Sequence, residues 1–168
     1  MKKTAIVAAF ALLLVLAAST ASLAKNNSLS LTGSFGSTLL GLEYERRIGH
    51  FGLGLEASTL MSFPYYQEFE SIPLRVNGLL RYYLGDISWI KPYVSLAPGA
   101  IFSFFPVEPA SIDYNLAFNM HATAGVEITP GFLRFAAEAG YEFVAVFLYP
   151  EPVAEGWFFV KAAVGLRF

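Results

Sequence analysis

Apolar residues recur at every second position in the C-terminal part of the chain. One face of this segment carries Phe158, Val160, Ala162, Val164, Leu166 and Phe168. The intervening residues are Trp157, Phe159, Lys161, Ala163, Gly165 and Arg167, so the charges of the segment fall on the other face. A period of two is the spacing of side chains on one face of a β-strand. The segment is therefore predicted to be a strand with one apolar and one mixed, charge-bearing side.

Seven further segments alternate in the same way. They cover residues 28–35, 39–47, 51–61, 73–84, 90–104, 116–129 and 132–147. Pro92 and Pro98 interrupt the fifth of these segments and predict a bend there, because proline donates no ladder hydrogen bond. The pattern predicts eight antiparallel strands in an all-β chain.

The first 24 residues follow a different pattern. Lys2 and Lys3 precede an uncharged apolar run from Ala5 to Ala18, and Ser22 and Ala24 place small residues three and one positions before a cut. This is typical of a secretory signal peptide. An uncleaved helical anchor is the alternative, but the short apolar core and the polar residues 25–28 favour cleavage near Ala24. We expect a signal peptide at 1–24 and a barrel domain at 25–168.

Composition changes the picture from a soluble sheet to a membrane protein. The chain is 55% hydrophobic and only 14% charged, whereas an ordinary soluble domain has about 25% charged residues. This argues against a cytosolic globule, a disordered chain and a basic nucleic-acid surface. The apolar, uncharged stretch 92–107 contains Pro98 and Pro106 and falls short of the ~20 apolar residues of a spanning helix. A sheet closed into a transmembrane up-and-down barrel satisfies its backbone in lipid instead.

Connections of two lengths alternate between the predicted strands. Residues 48–50, 85–88 and 129–131 are tight, while 64–72, 105–114 and 148–156 are longer; 36–38 is a short additional outer connection. This asymmetry is typical of short periplasmic turns and longer outer loops. Aromatic residues predict an inner girdle of Tyr44, Tyr82, Trp89 and Phe168, and an outer girdle of Phe63, Tyr65, Phe104, Tyr149 and Trp157.

The signal peptide, the eight alternating segments, the segment 42–54 and the terminal strand together resemble small bacterial outer-membrane β-barrel proteins of the OmpA-barrel and OmpX-like kind. The resemblance covers the whole chain after residue 24. It implies residence in the bacterial outer membrane, contact with its lipids and lipopolysaccharide, and delivery by periplasmic chaperones, with no nucleic-acid partner. Short outer loops and the lack of a peptidoglycan-binding domain after the barrel argue against adhesion or cell-wall tethering.

The terminal strand also resembles the signal by which the barrel-assembly machinery recognises its substrates. That signal is a terminal aromatic residue preceded by apolar residues at alternate positions. It corresponds here to Val160, Ala162, Val164, Leu166 and Phe168. The motif indicates the class of protein and not its activity.

The faces predicted to point inward carry most of the charged residues. The cations are Arg75, Arg81, Lys91, Arg134, Lys161 and Arg167, and the anions are Glu43, Glu45, Glu56, Glu127, Glu138 and Glu142. An eight-stranded barrel is just wide enough for side chains to fill, so we expect these ions to pair and to plug the lumen. Folding the turn at 129–131 predicts that Glu127 lies opposite Arg134.

Two arrangements could carry chemistry instead. The turn at 48–50 sets Glu43 opposite Glu56, which allows an acid/base dyad, but neutralisation by Arg75 or Arg81 is the expected reading. His121, with Thr123 and Glu127 on its face, is similar to the His, Ser and Glu set of barrel enzymes that deacylate lipid A. Those residues act from the lipid-facing surface, whereas His121 is predicted to point inward, so we expect a hydrogen-bonded lumen histidine.

No cofactor or metal is predicted. The chain has no cysteine, which excludes a thiolate site, a disulfide and a lipoprotein anchor. Its two histidines, His50 and His121, are far apart in the sequence and make no metal motif. Gly52 and Gly54 lack the context of a dinucleotide fingerprint. They are expected to let large lumen side chains pack over bare backbone.

Three classes of function follow from these features. A structural or surface-interaction barrel with a plugged lumen is favoured; a narrow channel for small solutes and a lipid A-modifying enzyme are the alternatives, and no catalytic residue is predicted. The extracellular partner is unknown. The predicted outer loops could offer a partner surface through their tyrosines and acidic residues, Tyr65, Tyr66, Glu68, Glu70, Glu108, Asp113, Tyr149, Glu151 and Glu155. The simpler interpretation is that these residues form a soluble acidic rim.

Overall fold

The computed structural model describes residues 26–35, 39–60, 72–85, 89–107, 111–146 and 153–168. Its strands are β1 (Asn27–Phe35), β2 (Leu39–Ile48), β3 (Phe51–Leu60), β4 (Ile72–Tyr83), β5 (Ile90–Val107), β6 (Ser111–Ile128), β7 (Leu133–Val146) and β8 (Val153–Arg167). Each strand pairs antiparallel with the next, and β8 pairs with β1 to close the barrel. The predicted all-β, eight-stranded antiparallel barrel is confirmed. Among the described residues there is no helix of the length and apolarity needed to cross a membrane.

Two of the longer predicted connections are wrong in extent. Strands β5 and β6 stay paired as far as Val107 and Ser111, so most of the stretch 105–114 belongs to the sheet. Strand β8 begins at Val153, inside the predicted connection 148–156. The ladder is built from backbone groups, so it continues where the apolar pattern has stopped. The predicted signal peptide and the outer connection at 36–38 lie outside the described residues.

Tight turns join the strands at one end of the barrel. Gly49 and Gly131 have φ angles of 60° and 68°, in the left-handed region that side chains other than glycine enter at a cost. Gly49 and His50 alone connect β2 to β3, as the short predicted connection at 48–50 requires. The third predicted tight connection is at 85–88, and residues 86–88 lie outside the described residues.

The two faces of the sheet have opposite character. Outward side chains are large, apolar and exposed, such as Leu55 at 61% and Phe158 at 82%, whereas inward side chains are mostly polar and buried. Tyr44, Tyr82 and Trp89 are exposed near the turn end, where the inner girdle is predicted. Most of the predicted outer girdle lies outside the described residues, and Trp157 occupies an inward position opposite Glu142.

Candidate functional site

The candidate site is the lumen, because the structure brings nearly all of the predicted charged residues together there. Arg75, Arg81, Lys91, Arg134, Lys161, Glu43, Glu45, Glu56, Glu127, Glu138 and Glu142 are all buried. Arg167 lies half-buried near the turn end of β8. A buried charge is tolerated where it is paired and hydrogen-bonded. The contacts of these groups therefore determine what the lumen can do.

Arg134 organises the end of the lumen nearest the tight turns. Its Nε atom donates to Glu127 Oε2 at 2.8 Å, and its Nη1 atom donates to Glu43 Oε1 and to Ser30 Oγ, both at 2.7 Å. The hydroxyl of Tyr83 lies within hydrogen-bond distance of Glu45 at 2.6 Å and of Glu127 at 2.9 Å. A neutral hydroxyl thus supplements the cation between two carboxylates.

Arg81 and Lys161 hold the middle of the lumen. Arg81 donates two parallel bonds to Glu43, at 2.7 and 2.8 Å, and it also contacts Glu45. Lys161 Nζ lies 2.6 Å from Glu138 Oε1 and 3.0 Å from Glu56 Oε2. Bidentate arginine–carboxylate contacts are among the strongest and most directional polar contacts in proteins.

Amides join the ions in the outer part of the lumen. Arg75 donates to Glu142 at 2.6 Å. The Asn119 side-chain amide donates to Glu142 at 3.4 Å and to the Asn77 amide oxygen at 3.2 Å. The Asn77 amide lies 3.1 Å from His121 Nδ1. The polar chain therefore continues from the charged middle of the lumen towards the outer end.

The predicted pair of facing carboxylates, Glu43 and Glu56, is present in the lumen. Glu43 and Glu56 are directly opposite one another, as predicted, and Lys161 Nζ lies between them at 3.4 and 3.0 Å. Arg81 also contacts Glu43, and Arg75 lies 3.7 Å from Glu56, so cations face both acids. The pair is thus part of an ion network.

The prediction that Glu127 lies opposite Arg134 is wrong in register. Ala136 is the residue opposite Glu127, and Arg134 lies two positions away on β7. The contact forms nevertheless, because an arginine side chain is long enough to reach a diagonal neighbour about 7–8 Å away.

His121 points inward and is fully buried. Its ring packs edge-on against Phe159 with a centroid distance of 5.5 Å, and its Nε2 atom is 4.0 Å from Glu56 Oε2. Thr123 Oγ1 contacts Ser95 Oγ at 2.5 Å instead. The described geometry therefore does not join His121 and Thr123 into a nucleophile–base pair.

Glycines make room for these side chains. A Cβ atom on Gly52 would collide with the Glu45 carboxylate, and one on Gly125 would lie 2.8 Å from Tyr93 Cζ and 2.7 Å from Glu138 Cβ. A Cβ on Gly54 would collide with the backbone carbonyl of Tyr44. Large lumen side chains thus lie over bare backbone at Gly52 and Gly125.

Sequence reasoning assigned no role to several side chains that complete the network. Tyr83 and Tyr93 are buried and lie with their rings 5.6 Å apart, and Tyr93 donates to Glu138 at 2.9 Å. Asn77 and Asn119 are fully buried. Their signal in the sequence is a polar or hydroxyl-bearing residue at an inward position of the alternation.

No protein-family model matches the sequence, and no curated protein is recognisably similar to it. The fold is similar to that of the N-terminal β-barrel domain of Pseudomonas aeruginosa OprF, with a TM-score of 0.60 and 15% identity over 85% of this chain and 98% of that one. It is also similar to Neisserial surface protein A (NspA), with a TM-score of 0.55 and 12% identity over 84% of this chain and 94% of that one. At these identities the similarity concerns the fold alone. The chain has the fold of the eight-stranded outer-membrane barrels.

Proposed function

We propose that this chain is an integral protein of the bacterial outer membrane whose lumen is closed by paired charges, and that it acts as a structural or surface-interaction barrel. The observation that carries the proposal is the inversion of the two faces: apolar side chains outside and an ion network inside. A water-soluble barrel would have the reverse arrangement.

The outward face supports residence in lipid. Exposed apolar side chains occur on every strand, including Phe35 at 72%, Leu55 at 61% and Phe158 at 82%. Soluble monomers rarely expose continuous apolar surface beyond a few hundred Å². In a membrane this surface contacts acyl chains, and closure of the sheet by the pairing of β8 with β1 removes its free strand edges.

Ion pairs that run across the interior of the barrel support a closed lumen. Arg75 on β4 reaches Glu142 on β7, and Lys161 on β8 reaches Glu56 on β3, so these contacts join strands that are not neighbours. Contacts of this kind run across the interior and occupy its cross-section. Eight strands enclose a space that side chains alone can fill.

A narrow channel for small solutes is the second candidate, and the looser outer part of the network favours it. Arg75 Nη2 is 3.7 Å from Glu56 Oε1, and among the described residues this oxygen and Glu142 Oε2 have no hydrogen-bond partner. A water or small ion would be attracted to such oxygens if the side chains moved apart.

Planar-bilayer conductance separates these candidates. For a closed lumen we expect no large steady conductance from the unmutated protein, and raised or noisier conductance from Lys161→Gln, which breaks three contacts. Leu53→Ala, on the lipid-facing side, is the matched control and should leave conductance unchanged. Large steady conductance of the unmutated barrel would overturn the closed-lumen proposal in favour of the channel.

The remaining parts of the proposal concern activity and partners. Since His121 and Thr123 have separate partners, we propose no catalytic role for them and no enzymatic activity. The expected partners are outer-membrane lipids and lipopolysaccharide, periplasmic chaperones and the barrel-assembly machinery. Fractionation of cells that express the chain tests its location, and recovery as a soluble periplasmic protein would reject the membrane assignment.

A further inference from the structure

We infer that Arg46 forms a binding site for the phosphate of a glycerophospholipid in the periplasmic leaflet. This inference rests on the proposed membrane location. It concerns the outer surface of the barrel and is independent of whether the lumen conducts.

Arg46 is exceptional among the outward-facing residues. It is exposed on β2, between the exposed side chains of Tyr44 and Ile48, while its chain neighbours Glu45 and Arg47 point towards the lumen side. No other charged residue occupies an outward position on the described strands. Burying a lone guanidinium in hydrocarbon is costly, so a charge on this face needs a polar partner at the membrane surface.

The described part of the chain supplies no such partner. No hydrogen bond or ion pair links the Arg46 guanidinium to any described residue, and its cross-strand neighbours are Asn27 and Leu53, which carry no charge. The Asn27 amide oxygen already accepts a hydrogen bond from the Tyr44 hydroxyl at 3.0 Å. The guanidinium is therefore available to an anion from outside the chain.

The position of Arg46 along the strand places that anion at the lipid head groups. Arg46 is two residues before the end of β2 at Ile48, which corresponds to about 7 Å of strand. Exposed aromatic side chains surround this end of the barrel, including Phe51 and Tyr82, whose rings are 5.3 Å apart. Tyrosine and tryptophan mark the depth of the membrane interface, and a long arginine side chain can extend from that depth to the phosphate layer.

The charge and shape of the guanidinium favour phosphate over other polar groups of the interface. Its planar fork can donate two parallel hydrogen bonds to phosphate oxygens. The opposite end of the barrel lacks this chemistry, because the outer connections at 36–38, 61–71, 108–110 and 147–152 contain no lysine or arginine, and the last three of them contain acidic residues. The site is thus expected on the periplasmic side alone.

Native mass spectrometry of the detergent-solubilised barrel can test the site with two lipids. Phosphatidylglycerol carries the phosphate, and digalactosyldiacylglycerol is a bilayer lipid without one. We expect phosphatidylglycerol to be retained preferentially, Arg46→Gln to lower its retention about fivefold, and Arg46→Lys to have an intermediate effect. Arg47→Gln is the matched control, because the Arg47 guanidinium lies 4.0 Å from the centroid of the inward Tyr83 ring.

Each outcome decides one point. Equal retention of phosphatidylglycerol by the unmutated barrel, Arg46→Gln and Arg47→Gln would overturn the site, as would equal retention of the two lipids. Displacement of the lipid by millimolar inorganic phosphate would indicate a general anion site and overturn the assignment to a lipid. Failure of the unmutated barrel to insert into vesicles would instead reject the membrane location, and protease protection measures that separately.

Discussion

Replacing Arg134 by glutamine removes one cation from several carboxylates, but the remaining partners of those carboxylates differ. Glu43 keeps Arg81 at 2.7 and 2.8 Å and Lys161 at 3.4 Å. Glu127 loses its 2.8 Å contact with the guanidinium and keeps the neutral hydroxyl of Tyr83 at 2.9 Å. The loss of stability should therefore arise mainly at Glu127.

The expected magnitude follows from the burial of the pair. Removing one partner of a buried ion pair costs about 3–5 kcal/mol, and we expect Arg134→Gln to lie near the lower value because Lys91 is directly opposite Glu127 on β5. Adding Glu127→Gln removes the stranded carboxylate and should recover about 1–2 kcal/mol.

Adding Glu43→Gln to Arg134→Gln should have the opposite effect. Glu43 then no longer faces Arg81 and Lys161, so two buried cations lose a partner and the free energy of unfolding falls further. Relative to Arg134→Gln alone, the free energy of unfolding should therefore rise when Glu127→Gln is added and fall when Glu43→Gln is added. This difference does not depend on the absolute size of either loss.

Reversible urea unfolding in lipid vesicles, followed by the fluorescence of Trp89 and Trp157, would measure these differences. Both Arg134→Gln double mutants and all three single mutants are needed for the two cycles. Strictly additive losses in the cycle with Glu127 would refute the pair. Recovery of stability by Glu43→Gln in the Arg134→Gln background would refute the assignment of Glu43 to Arg81 and Lys161.

Three further predictions concern the faces of the sheet and its assembly. Val160→Arg, near the middle of β8, should lower the free energy of unfolding in vesicles by about 2–4 kcal/mol, and Ile48→Arg, at the rim of β2, by about 0–1 kcal/mol. Equal losses in urea titrations would reject the assignment of Val160 to the middle of the membrane and of Ile48 to its surface. Gly125→Ala should cost about 1–3 kcal/mol by the same titration, whereas Gly33→Ala should be nearly neutral because a Cβ there meets nothing within 4 Å. Phe168→Ala should slow insertion by the assembly machinery in cells more than it lowers stability in vesicles, and an unchanged insertion rate would count against the terminal signal.

The faces of the strands could be predicted because the pleat has a fixed period. A residue that is inward on a strand makes every second residue inward, so one clear segment such as β8 assigns all of its positions. The ends of the strands could not be predicted in the same way. At Val107 and Ser111 the backbone ladder extends beyond the apolar pattern, and the alternation therefore carries no signal for its end.

The partners inside the lumen were harder to predict than its composition. Alternation places Lys161 and Glu56 on the inward side, but they are 105 residues apart and belong to strands that are not neighbours. Their contact depends on how far the strands tilt and shift when the sheet closes. A count from a single turn contains no information on that shift across the lumen, and it also misplaced Arg134 by two residues relative to Glu127.

The arrangement of charges within a strand therefore matters separately from the alternation itself. Exchanging Asn77 and Arg81 would preserve the length, the composition and the inward face of β4. It would nevertheless move the cation by four residues, or about 13 Å along the strand, away from Glu43 and Glu45. The alternation predicts the same barrel for both sequences, whereas only the natural order supplies a cation to those two carboxylates from β4. The strand pattern thus specifies the barrel, and the order of residues on its inward face specifies how the lumen is closed.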